Sequence, residues 1–204
     1  MEHLIETLAR GAASIGVELN PGQIQALEQH LRLLAKWNAK LNLVGPGTLE
    51  AWALRHTLDS LAVAEWIENG ANVVDVGSGA GFPGIPCAIA RPTSELTLLE
   101  PRANRAAFLQ NAIALIRLAN VTVHVAKAEA EPQRFQLVLG RAVAPQLEWA
   151  GIASRLCARG GGFVLFSSDE PPELLGQADR VKLKTYELGQ ERRRSLALYV
   201  PRGT

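Results

Sequence analysis

At 204 residues, with 48% hydrophobic and 20% charged side chains, the chain has the composition of a globular protein rather than of a fibre or a disordered segment. A formal charge of +1 excludes a bulk polycation, so contact with nucleic acid requires a local basic patch. No apolar run reaches the roughly 18 residues of a membrane helix, and Met1-Glu2, with Glu6 close behind, lacks the basic and apolar regions of a signal peptide.

Leu4, Ile5, Leu8, Ala12 and Ile15 recur at helical spacing and predict a first helix. Asn20-Pro21 is a helix start, with Asn as N-cap and Pro at the first helical position. Ile24, Leu27, Leu31 and Leu34 then form one apolar stripe running to about Trp37. Gly45-Pro46-Gly47 breaks the chain, and Thr48 can cap a third helix reaching about Ile67.

From Asn72 strands alternate with helices. Strands are expected over residues 73–76, 96–99, 121–125 and 135–139, with helices over 85–90, 103–118 and 146–157. The helix at 103–118 carries Ala107, Phe108, Ala112 and Leu115 on one face. Gly160-Gly161-Gly162 is expected to end the helix before it and to open a fifth strand at 163–166. Residues 171–178 read as a short helix, and 181–188 with 196–200 as a closing antiparallel pair. The fold class is therefore α/β: a mostly parallel seven-stranded sheet with an antiparallel terminal hairpin, preceded by helices.

The stretch from Asp75 to Gly84 organises this pattern. The first strand runs into Gly77-Ser78-Gly79-Ala80-Gly81, and glycine lets a backbone take positive φ and come close to a ligand. The following helix aims its free N–H groups into the same crevice. A dinucleotide loop reads Gly-x-Gly-x-x-Gly; Phe82 stands where the last glycine belongs, which argues against NAD. No Gly-Lys-Ser/Thr follows, which argues against a Walker loop. Asp75 can orient the loop amides or accept from an ammonium, and Glu100, ending the second strand, can hold both hydroxyls of a ribose. A cofactor with one ribose, no phosphate and an amino-acid tail fits, namely S-adenosylmethionine. Cys87 and Cys157 have no metal or redox spacing and are expected as reduced thiols of a cytoplasmic protein. His3, His30, His56 and His124 have none either, so no metal is expected.

The string Asp75-Val-Gly-Ser-Gly-Ala-Gly-Phe-Pro-Gly-Ile-Pro86, preceded by Arg55-His56-x-x-Asp59-Ser60, resembles the RsmG (GidB) family. These are S-adenosylmethionine-dependent methyltransferases acting on a guanine N7 of bacterial small-subunit (16S) ribosomal RNA. The resemblance extends to Lys36-Trp37-Asn38, Asn42-Leu43, Arg105-x-x-Phe108-Leu109, Ala128-Glu129 and Gly140-Arg141-Ala142, and so covers about residues 27–164. It implies a class I (Rossmann-like) methyltransferase fold over residues 68–204, with residues 1–67 as a helical extension packed on it. It also implies cofactor contacts at Gly77, Phe82, Ala128, Glu129 and Arg141, which Gly79 and Glu100 join from the loop itself. Phe82 is expected to cover the cofactor, and Arg141 to take its carboxylate or an RNA phosphate with both prongs of the guanidinium.

Guanine N7 carries a lone pair and no proton, so no catalytic acid or base is nominated and positioning is expected to do the work. RNA contacts are expected from Arg55, His56, Arg105 and Arg141, with Arg102 and the cluster Arg192-Arg193-Arg194 as further phosphate ligands. Two positions depart from the family: Phe166-Ser167-Ser168 replaces a Lys-Gly pair after the fifth strand, and Asn104-Arg105 replaces a Lys-Lys or Lys-Arg pair. The expected partner is small-subunit ribosomal RNA, partly folded in a precursor particle, with the enzyme a monomer and no membrane involved. The alternatives are a class I methyltransferase of another substrate, or a cofactor-binding protein that has lost catalysis.

Overall fold

A computed structural model of the chain describes residues 2–189 and 193–203. Helix α1 (Glu2–Ser14) buries Leu4, Leu8 and Ala12. Helix α2 (Pro21–Leu41) starts in a reciprocal cap: Asn20 Oδ1 accepts from the Gln23 N–H at 3.0 Å, and Gln23 Oε1 accepts from the Asn20 N–H at 2.9 Å. It ends at Asn42, whose φ of 47° stops the helix as a left-handed cap.

The expected third helix is not uniform. It begins as α3 (Leu49–Trp52), widens into a π-helical stretch over Ala53–Leu58, returns to α4 (Asp59–Leu61) and closes as a 3-10 turn over Ala64–Trp66. A π stretch changes the angular spacing of side chains, and these local departures cluster at functional sites. This one carries Arg55 and His56.

The sheet contains β1 (Asn72–Val76), β2 (Glu95–Leu99), β3 (Val121–His124), β4 (Phe135–Leu139) and β5 (Cys157–Ser167), with β6 (Leu174–Leu175), β7 (Ala178–Tyr186) and β8 (Arg194–Pro201). Helices α5 (Gly84–Ala90), α6 (Ala103–Ile116) and α7 (Gln146–Leu156) connect the parallel strands. The strand order is β3-β2-β1-β4-β5-β8-β7-β6. Strands β1 to β5 run parallel; β8 lies antiparallel between β5 and β7. The order reverses at β1, which separates β2 from β4, and the carboxyl end of such a switch point is where open α/β sheets bind ligands.

Three expectations are corrected. The sheet has eight strands, because residues 171–178 form not a helix but a tight hairpin pairing Leu175 with Ala178. Gly176, at φ 64°, opens its two-residue turn. The three glycines lie inside β5 rather than ahead of it. A Cβ on Gly161 would fall 2.8 Å from the Phe135 carbonyl oxygen, and one on Gly162 would fall 2.7 Å from that of Tyr199, so only glycine lets the flanking strands approach there. On α6 the buried face is Ala106, Phe108, Leu109 and Ala112, while Leu115 is half exposed.

Alternation along the strands sends side chains to two cores. Val73, Leu96, Leu98, Leu137 and Leu139 pack with α1 through α6, whereas Val74, Val76, Val138 and Phe163 pack with α7. The N-terminal helices thus share a core with one face of the sheet. Among the described residues no helix is long and apolar enough to cross a membrane.

Candidate active site

Beyond Val76 the backbone turns through Gly77 (φ 68°) and Gly79 (φ 52°), a region costly for side chains with a Cβ. The N–H groups of Gly77 and Ser78 both donate to the Leu99 carbonyl, at 2.8 and 3.0 Å, which ties the loop to the end of β2. Gly79 N–H donates to Glu100 Oε2 and Arg102 N–H to Glu100 Oε1, each at 2.9 Å. Glu100 therefore braces the loop, while each of its oxygens keeps a lone pair for another donor. Gly84 N–H donates to Asp75 Oδ2 at 3.0 Å.

Asp75 is fully buried, and its Oδ1 has no partner among the described residues. Burial pushes its carboxyl up to about 7, against the pull of the Gly84 N–H. An orphaned acceptor of this kind fits an ammonium group. The glycine cradle also fits a ligand lying on the backbone, since a Cβ on Gly77 or Gly79 would meet nothing nearer than 3.6 Å. Together they match the amino-acid end of S-adenosylmethionine.

Phe82 is 5% exposed, with its ring centroid 5.0 Å from that of His30 and 5.3 Å from that of His56. The Arg141 guanidinium carbon lies 5.6 Å above it. The ring thus supports residues rather than forming open surface. His30, on the buried face of α2, donates from Nε2 to the Ala80 carbonyl at 2.9 Å and so links the N-terminal helices to the glycine loop. Sequence reasoning gave it no role beyond excluding a metal, although it falls within the Leu27–Leu34 stripe.

Burial lowers the His30 imidazole to about 4. Because this lies below the ordinary 6.5, the stability His30 contributes is full above about pH 6.5 and is lost as pH falls towards 4. His30→Gln, whose amide can donate to the same carbonyl, is expected to flatten that acid limb in thermal melts between pH 4 and 7. An unchanged limb would show that His30 does not set it.

On the other side of Phe82 stands a hub that the sequence does not announce. Asp59 is 1% exposed. It accepts from Arg141 Nη1 at 3.0 Å, from the Tyr186 hydroxyl at 2.7 Å, and from Arg194 Nε and Nη2 at 3.1 and 3.0 Å. Arg141 Nη1 also donates to the Arg55 carbonyl at 3.0 Å, and Nη2 to His56 Nδ1 at 2.7 Å. The Arg141 fork expected to grip a ligand with two prongs is thus largely engaged by the protein. The Tyr186 phenol is pushed up, by burial first and then by Asp59.

A cavity of about 400 Å³ opens here, lined by Leu54, Arg55, His56, Arg141, Leu188 and Arg194 among others. No cation follows β5, where Ser167 Oγ instead accepts from the Asp169 N–H. The adjoining strand supplies one: β8 pairs Ser195 with Ser167, and the preceding Arg194 reaches the hub.

The remaining candidates fall as follows. Arg105 on α6 brings Nη1 within 3.6 Å of where a Gly79 Cβ would lie, and Arg102 is exposed at the N-cap of that helix. Ala128 and Glu129 form a 3-10 turn after β3, two strands from β1, and exposed Glu129 pairs with Arg155 at 3.9 Å. Arg193 is exposed, and Arg192 lies outside the described residues. The structure therefore brings together Gly77, Gly79, Glu100 and Arg105 on one side of the loop. It gathers Arg55, His56 and Arg141 on the other. Cys87 and Cys157 are buried free thiols, the latter pushed up by burial to about 12. Among the described residues no three His, Cys, Asp or Glu side chains are grouped to hold a metal.

Comparison with known proteins adds to this geometry. The family model GidB, rRNA small subunit methyltransferase G, matches residues 23–189. The ribosomal RNA small subunit methyltransferase G of Nitrosococcus oceani is 36% identical over 170 residues, covering 82% of this chain and 79% of that protein. The protein of the same name from Cellvibrio japonicus is 35% identical over 202 residues, covering 93% and 92%. Among solved structures, M. jannaschii TYW2 in complex with AdoMet superposes with a TM-score of 0.58 at 15% identity, over 70% of this chain and 74% of that one. The putative methyltransferase yhhF from Escherichia coli gives 0.55 at 14% identity, over 72% and 87%. These two likenesses show the fold alone, a Rossmann-like α/β architecture.

Proposed function

The chain belongs to the rRNA small subunit methyltransferase G family, and from that premise we propose how its residues move a methyl group from S-adenosylmethionine to N7 of one guanine in 16S ribosomal RNA. The observation that carries the proposal is the juxtaposition of two halves across Phe82 and Arg141. One is a glycine cradle with an orphaned carboxylate oxygen at Asp75; the other is a cavity walled by arginines.

In this reading the Gly77 and Gly79 backbone supports the cofactor, Asp75 Oδ1 accepts its ammonium, and the spare lone pairs of Glu100 accept its ribose hydroxyls. Ala128 and Glu129 border the adenine at the end of β3. When bound, S-adenosylmethionine supplies an electrophilic sulfonium methyl, which N7 attacks through its own lone pair. The protein then has no proton to move. Its residues contribute by fixing approach and excluding freedom, which can supply several kcal/mol. Arg141 keeps its Nε–H and one Nη2–H, and Arg194 its Nη1 group, without partners among the described residues. Those donors, with Arg55 and Arg105, are suited to phosphates beside the target.

We also propose a monomer acting in the cytoplasm on a precursor ribonucleoprotein particle, because a chain of net charge +1 has few phosphate contacts with which to hold unstructured RNA. The test uses the full chain, methyl-labelled S-adenosylmethionine, and small subunits and naked ribosomal RNA from a strain lacking the activity. Label on N7 of a single guanine, faster on the particle, is expected. Label on another atom or molecule overturns the substrate reading. Cofactor binding without transfer to any RNA identifies a binding protein instead.

A further inference from the structure

His56 lines the cavity, with Nδ1 committed to Arg141. Arg141 Nη2 stands 2.7 Å from Nδ1, and a guanidinium can only donate, so Nδ1 must be the bare, accepting nitrogen. The proton of the neutral ring is then on Nε2. The ring is also held in place: Phe82 packs beneath it at 5.3 Å and 32°, and Asp59 fixes the arginine that fixes Nδ1. Burial, and then the neighbouring Arg141, hold the imidazole near 4, so it stays neutral at the pH of a cell. The Nε2–H is therefore a donor of fixed tautomer and fixed direction on the wall where the target base is expected.

We infer that His56 is a specificity-determining residue whose Nε2–H donates to O6 of the target guanine, the acceptor next to N7 on the same edge of the base. The inference rests on the guanine-N7 reading above. Guanine presents two acceptors on that edge, N7 and O6, whereas adenine presents N7 and an amino group. A lone donor placed beside the reacting nitrogen pairs with O6 and meets the amino group of adenine donor to donor. A neutral donor suits the chemistry as well, because a second cation against the ring would oppose the positive charge that the purine gains on methylation. The same hub that orients Arg141 thereby selects the base.

The test compares kcat/KM for small-subunit particles whose RNA, joined by splint ligation, carries either guanine or 2,6-diaminopurine at the target position. The second base keeps N7 and the 2-amino group but places an amino group at position 6. The wild-type protein is expected to favour guanine by roughly 10- to 100-fold. His56→Gln, which can still donate from its amide, should keep that ratio within about threefold, whereas His56→Leu should reduce it to below about threefold.

Thermal melts of both variants check that they fold, and the glutamine variant keeps the comparison informative if leucine does not. If His56→Leu slows both bases equally and leaves the ratio intact, His56 merely props Arg141 and the inference is overturned. So it is if His56→Gln loses the ratio while folded. Failure of the wild-type protein to label N7 of guanine at all is a separate result, which removes the guanine reading and this inference with it.

Discussion

Asp59→Ala is expected to lower the free energy of unfolding by about 3 kcal/mol, because removing one member of a buried ionic cluster leaves its partners without compensation. For a chain of this size that corresponds to a fall of roughly 6–12 °C in the melting temperature. Two guanidiniums and one phenol converge on this carboxylate, at 2.7–3.1 Å. Arg141 and Arg194 have side chains only 17% and 32% exposed, so water replaces the lost acceptor poorly. Repulsion between the arginines would also release His56 and the wall of the cavity. Transfer to RNA is expected to fall by more than tenfold while cofactor binding, centred on the other side of Phe82, changes far less. Calorimetric melts together with titration of S-adenosylmethionine check both halves. A variant that melts with the wild type would show that the arginines repair the hub without Asp59.

Asp75→Asn is expected to separate stability from function in opposite directions. The folded carboxyl titrates near 7, above its ordinary 3.8, so the folded protein holds that proton more tightly than the unfolded chain. Its contribution to stability is full below about pH 4 and is lost as pH rises through about 7. Asparagine does not titrate, and its amide oxygen can still accept from the Gly84 N–H. The variant should therefore gain on the wild type between pH 4 and 8, by up to about 4 kcal/mol. His30 and His56 titrate in both proteins and cancel in the difference. Affinity for S-adenosylmethionine should meanwhile fall by roughly 10- to 100-fold, because the ammonium loses a charged acceptor. Paired melts across this pH range and calorimetric titration at pH 8 test the claim. If the two proteins keep parallel pH profiles, the Asp75 carboxyl does not hold its proton more tightly in the folded state.

Local chemistry explains which features could be read from the chain. The N-cap at Asn20, the glycine loop after β1 and the acidic end of β2 each depend on residues within a few positions of one another, so spacing alone reveals them. Long-range packing decides the rest. The glycines in β5 look like a helix stop until the close carbonyls of β4 and β8 are seen on either side. Leu115 has the right spacing for the buried face of α6, yet that face is set by how the helix rolls onto α2 and the sheet. Asp59 is the clearest case. Its string with Arg55 and His56 marks a family, but nothing near it in sequence reveals that Arg141, Tyr186 and Arg194 will meet there. His30 escaped notice for the converse reason: a histidine inside an apolar stripe looks like packing, and its bond to the Ala80 carbonyl depends on a loop 50 residues away.

The span of the Asp59 hub also bears on when the enzyme becomes active during its own synthesis. Asp59 precedes Arg141 by 82 residues, Tyr186 by 127 and Arg194 by 135. The helices and β1 to β5 can assemble as they leave the ribosome, with the glycine loop already braced by Glu100. The cavity wall, in contrast, waits for β8 to slot between β5 and β7, so the cofactor cradle can form before the grip on RNA is complete.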